Sequence, residues 1–344
     1  MDSQLLHVFI LLTPLHALLA RKIIEKENIV RYHLISFIDG SQKIIFYRKL
    51  ITEIKENYTE LELKRNHSAV FVFLKLTRLA SLLKSKSRKI VIYSGSIKSL
   101  YTRITCILLE PNLKQLNAFD DGFGNISESG YFYDRDKPLK NIFFSLYSKR
   151  HTYPCILNEI NTHFTIYKTK NIYDKFSLNK KFIDLTDSLE SGESDKRNEV
   201  IRVLLTGPFA ERGALDEETE LLIYEAAIER FSIELRLPHP AENPTKTRKF
   251  TIQSVETMLI AEEWVPGLLK DYSRVEIYGF GSSALLNLAY VERIECHWVS
   301  AEELPFPSLP EAFHGRVKRD FISKLNRNLL QARRENAPSP SYKN

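Results

Sequence analysis

The sequence predicts an α/β protein: parallel β-sheets with crossover helices, arranged as two domains joined by a linker. Three observations carry that prediction. Apolar runs of strand length alternate with longer amphipathic stretches from the first residues onward, which is the pattern of repeated βαβ units. At 344 residues the chain is too long for one ordinary core and suits two domains of about 150 residues each. The alternation breaks once, at 184–199 (DLTDSLESGESDKRNE), where apolar periodicity gives way to Ser and acidic residues, the composition of a linker.

The elements follow in order. Residues 5–12 (LLHVFILL) read as a buried first strand, and 32–38, 70–73, 90–93 and 113–119 as further strands. Helical stretches at 74–83 and 98–109 separate them. After the linker come a strand at 200–205, a helix at 216–230, a strand at 233–237, a helix at 263–270, a strand at 274–278, a helix from Ser282 and a strand at 293–299. Each half is Rossmann-like, giving domains at 1–185 and 200–310 around a linker at 186–199, with the two sheets expected to face a central cleft. Beyond the proline-rich 304–310, Val317, Phe321, Leu325 and Leu329 recur every four residues among lysines and arginines. That spacing predicts a terminal basic helix over 311–334, packed by its apolar stripe or facing a membrane, and then a disordered tail at 335–344.

Composition narrows the class. Hydrophobic residues make up 43%, charged residues 27% and aromatic residues 11%, as in soluble globular proteins. The run at 5–12 lacks a basic leader and a cleavage site, and is far short of the roughly 20 residues that span a bilayer; it predicts a cytoplasmic protein. Cys106, Cys155 and Cys296 are odd in number with no CxxC pair, so reduced thiols are expected rather than a disulfide framework or a zinc site. The net charge of +6 is mild for a nucleic-acid binder, no nucleic-acid motif accompanies it, and no nucleic-acid partner is expected. A positive excess suits anionic lipid or lipopolysaccharide surfaces.

Three motifs carry chemistry in order: 119–126 (FDDGFGNI), 237–240 (LPHP) and 278–283 (YGFGSS). Together they are the parts a sugar-nucleotide-dependent transferase needs, which must deprotonate an acceptor hydroxyl and neutralise a departing phosphate. His239, stiffened between two prolines, could donate to the leaving phosphate oxygen when protonated; a His-Pro step is also an ordinary turn. Gly279, Gly281, Ser282 and Ser283, with Pro240, would cradle a phosphate using free amides, hydroxyls and a helix dipole, unless the turn is only an N-cap. Glu211, in the loop at 207–213, is the favoured base. Asp216 and Glu217 compete with it but are explained as the N-cap and first-turn acids of the next helix. Asp120 and Asp121 are read as base, acceptor clamp or turn-stabilising residues. Of Glu262 and Glu263, one could hold ribose hydroxyls and the other start a helix.

On these residues the chain resembles the bacterial sialyltransferases of glycosyltransferase family 52, the lipooligosaccharide sialyltransferase group. The segment 119–126 looks like that family's FDDGxGN element, and Pro238-His239-Pro240 looks like its HisPro motif. Glu276-Ile277-Tyr278 with Phe280, Ser282 and Ala284 is similar to its phosphate-holding strand and turn. Weaker likeness runs through Thr13-Pro14-Leu15, Tyr93-Ser94-Gly95-Ser96 and Phe164-Thr165-Ile166-Tyr167-Lys168.

The resemblance implies a GT-B architecture, CMP-sialic acid as donor, no required metal, inversion at the anomeric carbon, and a terminal galactose acceptor on lipooligosaccharide or a similar surface glycan. His239 would be the acid, and Ser282 with Ser283 would contact the phosphate. The family's base is an acid in the loop corresponding to 206–213. Here Phe209 follows the Gly-Pro step and the first acid is Glu211, a departure in that loop. A further expected departure is an N-terminal membrane anchor, which some relatives have and which is not expected here. Contact with the inner face of the cytoplasmic membrane would then use the terminal basic helix or 142–150 (IFFSLYSKR), which otherwise packs between subunits or domains. Relatives make a homodimer plausible. Competing readings are a GT-B transferase using CMP-Kdo or an NDP-hexose, and a catalytically idle glycan- or nucleotide-binding protein.

Overall fold

The computed structural model describes residues 5–38, 58–62, 69–126, 132, 134, 136, 138–169, 171–186, 197–301 and 309–322. The chain divides into two compact units, Met1–Ser191 with Met258–Gly267, and Gly192–Thr257 with Leu268–Asn344.

In the first unit the strands are β1 (Leu5–Leu11), β2 (Tyr32–Ile38), β3 (Tyr58–Glu62), β4 (Lys89–Ser94), β5 (Leu113–Phe119), β6 (Ile160–Thr165) and β7 (Asn179–Phe182). All pair in parallel, in the order β3-β2-β1-β4-β5-β6-β7. The helices are α1 (Pro14–Lys26), α2 (Ala69–Lys86), α3 (Leu100–Leu109) and α4 (Pro138–Tyr147). β1 and β4 read as continuous apolar runs because a parallel sheet is buried on both faces; Val8, Ile10, Ile90 and Ile92 are all fully buried. Thr13 caps α1, its hydroxyl accepting from His16 N at 3.3 Å, and Pro14 supplies a first-turn position that needs no N–H.

The second unit contains β8 (Arg197–Leu205), α5 (Glu217–Phe231), β9 (Leu235–Leu237), β10 (Gln253–Ser254), β11 (Tyr272–Gly279), α7 (Ser283–Leu288), β12 (Ile294–Ala301) and β13 (Val317–Ile322). Its strands are also all parallel, in the order β10-β9-β8-β11-β12-β13. Strand order reverses between β1 and β4 in one sheet and between β8 and β11 in the other. Such switch points, at the carboxyl ends of the strands, are where doubly wound sheets take their ligands.

Three expectations are corrected. Residues 70–73 belong to α2: Val72, Leu76, Leu79, Ala80 and Leu83 are buried at helical spacing, and this stripe overrides the β-branched and aromatic preference of the segment. Residues 317–322 form strand β13 rather than a helix. Val317 and Ile322 are buried, but Phe321, which a helical stripe would cover, is exposed; the four-residue spacing mimicked a helix on an edge strand. The segment holding α6 (Ala261–Gly267) belongs with the first unit, where Glu263 pairs with Arg21 of α1 at 3.0 Å. The remainder of the expected basic helix and tail, 323–344, lies outside the described residues, as do 187–196 of the linker and 304–308 of the proline-rich stretch.

Candidate active site

At the end of β5 the two neighbouring aspartates have opposite surroundings. Asp120 is fully buried. Its Oδ1 accepts from Asn171 Nδ2 at 2.8 Å, His163 Nε2 at 3.0 Å and Asn125 Nδ2 at 3.4 Å. Its Oδ2 accepts from Thr165 Oγ1 and Ile166 N, both at 2.7 Å. A carboxylate so supplied is satisfied in its own fold and has no face left for substrate. His163 is buried between Asp120 and Asp174, which lie 3.0 Å from its two nitrogens. Burial opposes charge on this ring, but the two carboxylates outweigh it and raise its pKa. Asp120 is the anchor of the FDDG turn.

Asp121 is different. Its backbone N–H is held by Asn125 Oδ1 at 2.9 Å, and its Oδ1 lies 2.6 Å from His16 Nε2. The side chain stays 19% exposed while His16 has no exposure, and Oδ2 has no hydrogen-bond partner among the described residues. Gly122 follows at φ +70°, a conformation glycine adopts without strain. An accessible carboxylate held by one oxygen, one strand away from the switch point, is suited to accept a proton on the other.

In the second unit, Glu211 is tied down. Its Oε1 accepts from Asn243 N and its Oε2 from Lys246 Nζ, both at 2.7 Å. Partial burial works against its charge, but these bonds outweigh it and hold its pKa below the usual value. Lys246, buried, also pairs with Glu220 of α5. Glu220 in turn accepts from Phe209 N at 3.2 Å and Ala210 N at 3.4 Å. The loop at 207–213 is therefore clamped from α5, and Glu211 is one of the clamps. Asp216 caps α5 as expected, accepting from Thr219 N at 2.8 Å.

His239 follows β9 and is half-buried. Its Nδ1 accepts from Ala241 N at 3.0 Å, which places the ring proton on Nε2. With Nδ1 accepting, Nε2–H is the donor this ring offers. Glu242 fixes the turn: its Oε1 accepts from His239 N at 2.6 Å and Thr206 Oγ1 at 2.5 Å, its own N–H donates to His239 O at 2.9 Å, and its Oε2 pairs with the buried Arg236. Burial pushes the Glu242 pKa up against these partners. Pro240 is the next residue of the turn.

The turn after β11 has Gly281 at φ +65° and Ser282 as N-cap of α7, with no capping bond from its hydroxyl. A Cβ at Gly279 would stand 3.1 Å from Leu285 and 3.3 Å from Leu205 O, so that position is tight. Gly281 and Ser283 are exposed and Ser282 half-buried. α7 has only six residues, so amides and hydroxyls, more than a helix dipole, are what this turn offers an anion. Glu262 and Glu263 sit in the first turn of α6, and Glu263 is occupied by Arg21.

Sequence reasoning missed His16, His163, Glu242 and Lys246. Only Glu242, three residues after His239, left a local signal; the others reach their partners from distant segments.

Two doubly wound parallel sheets, each with polar loops at its switch point, define a GT-B protein. The chain belongs to glycosyltransferase family 52, whose model matches residues 31–302. It is 27% identical over 289 residues to a CMP-N-acetylneuraminate:beta-galactoside alpha-2,3-sialyltransferase of Pasteurella multocida, covering 82% of this chain and 87% of the relative. It is 25% identical over 300 residues to an N-acetyllactosaminide alpha-2,3-sialyltransferase of Haemophilus influenzae, covering 83% and 90%. Among solved structures, an alpha/beta-galactoside alpha-2,3-sialyltransferase of Photobacterium phosphoreum shares the fold at TM-score 0.57 and 12% identity, over 94% of this chain and 100% of that one.

Proposed function

We propose that the chain is an inverting sialyltransferase that moves sialic acid from CMP-sialic acid to a terminal galactose of lipooligosaccharide or a similar surface glycan, with no metal required. Family membership and the activities of the two bacterial relatives support the donor and the acceptor sugar. The observation that carries the reading is the His239 turn, where Glu242 holds the His239 backbone N–H and the Ala241 amide holds Nδ1, which makes Nε2–H the donor of the ring. A preorganised donor of this kind stabilises charge as it develops on a leaving phosphate oxygen. The turn at 279–283 supplies further donors to the phosphate. Asp121 takes the role of base in place of Glu211, because its second oxygen is open whereas both oxygens of Glu211 are engaged. As the acceptor oxygen bonds to the anomeric carbon, its proton passes to Asp121 and the bond to CMP breaks with its electron pair.

CMP is expected to raise the unfolding temperature more than UDP or GDP at equal concentration. His239→Ala should lower kcat by about 10²–10⁴-fold with the fold intact, and EDTA should leave turnover unchanged. A preference for UDP contradicts the donor; CMP binding without any turnover means an idle binding protein.

We further propose that the enzyme works at the inner face of the cytoplasmic membrane, reached through α4. No helix among the described residues is long and apolar enough to cross a membrane. Ile142, Phe143, Leu146 and Tyr147 of α4 are exposed, and Lys149 and Arg150 follow after Ser148, the composition of an interfacial anchor on anionic lipid.

A further inference from the structure

His16 is a buried imidazole for which the chemistry so far has no role, yet three constraints fix it. Leu12 N donates to its Nδ1 at 3.1 Å, which places the ring proton on Nε2. That Nε2–H donates to Asp121 Oδ1 at 2.6 Å. Phe119 meets the ring edge-on, with centroids 5.2 Å apart. Gly95, after β4, makes room: a Cβ there would stand 2.4 Å from His16 Nε2 and within 2.8 Å of two more ring atoms. The imidazole thus fills the space a side chain on the β4 loop would take, with β1, β4 and β5 all contributing around the switch point.

We propose that His16 is the positioning residue of Asp121, pinning Oδ1 so that Oδ2 is the oxygen presented to the acceptor hydroxyl. This rests on Asp121 being the base. The arrangement inverts the familiar one in which a buried carboxylate orients a reacting imidazole: here the imidazole is buried and the carboxylate is accessible. His16 is a fixed donor and no relay. Its Nε2 already carries a proton, and Nδ1 is engaged by the Leu12 amide, so the acceptor's proton stops at Asp121 Oδ2 while the bond to CMP breaks.

Two substitutions separate this role from simple packing. His16→Leu keeps bulk but no donor, whereas the side-chain amide of His16→Gln can reach the place of Nε2. Both give up the bond from Leu12. His16→Leu is expected to lower kcat roughly 100-fold, the scale of a misplaced catalytic group, with KM for CMP-sialic acid unchanged. His16→Gln should stay within about tenfold of the native rate because its donor preserves the geometry. In an Asp121→Asn background, His16→Leu should slow the enzyme no further, since residues acting through one group are not additive.

Equal kcat for the Leu and Gln variants, or the same fold loss repeated in the Asp121→Asn background, would overturn the proposal. So would a lowered unfolding temperature of His16→Leu with native kcat. If Asp121→Asn itself turns over at the native rate, the base assignment falls and the positioning role with it. If Asp121→Asn is inactive while His16→Leu is fully active, the base stands and only the positioning role falls.

Discussion

At the scale of residues, chemistry is decided by which partners are already taken. Asp120 and Asp121 are chemically identical neighbours, and one is enclosed by five donors while the other keeps an open oxygen. His163 links this anchor to Asp174 and can be tested by pH. Its pKa is raised above the ordinary 6.5, so its contribution to stability is fully present below pH 6.5 and is lost as pH rises through its folded value. Asp174 is shifted the other way: burial works against its charge, but bonds from His163 and Lys180 outweigh it, so its contribution is present above 3.8 and lost as pH falls. The unfolding-temperature gap between the native protein and His163→Gln should therefore be widest in mildly acidic solution and narrow toward alkaline pH. A gap that widens on going alkaline contradicts a charged His163. The FDDG motif was legible as a site in the sequence, but the division of labour inside it was not, because His16 and His163 lie 105 and 43 residues from their aspartates.

At the scale of elements, α4 is built with one anchored face and one open face. Phe144 is buried beneath the guanidinium of Arg103, 3.4 Å from its ring, and that guanidinium also pairs with Asp136 and donates to His151 O at 2.7 Å. On the other face, Leu146 is 79% and Tyr147 55% exposed. The protein should sediment with phosphatidylglycerol vesicles more than with phosphatidylcholine vesicles, less so at high salt, and the double change Leu146→Glu, Tyr147→Glu should abolish this. Unchanged vesicle binding with loss of a dimer would instead make the face a contact between copies of the chain. The inner strands β2 and β5 were readable to the residue. The short polar edges β3, β7 and β13 were not, since an edge strand buries too few side chains to leave an alternation.

At the scale of the whole molecule, two sheets of the same winding present their loops at corresponding switch points. That plan was visible in the alternation of strand and helix, because crossover connections in parallel sheets demand it. Which acids keep an open oxygen was less visible: an acid after a strand looks available in sequence, and only the structure brings Lys246 and the Asn243 amide onto Glu211. The most direct measurement is a transfer assay with purified protein, CMP-sialic acid and a galactose-terminated acceptor, following sialylated product and CMP together. CMP and a product of inverted anomeric configuration are expected in equal amounts, with Glu211→Gln active and Asp121→Asn inactive. CMP release no faster than spontaneous hydrolysis, with no sialylated acceptor, would contradict sialyl transfer.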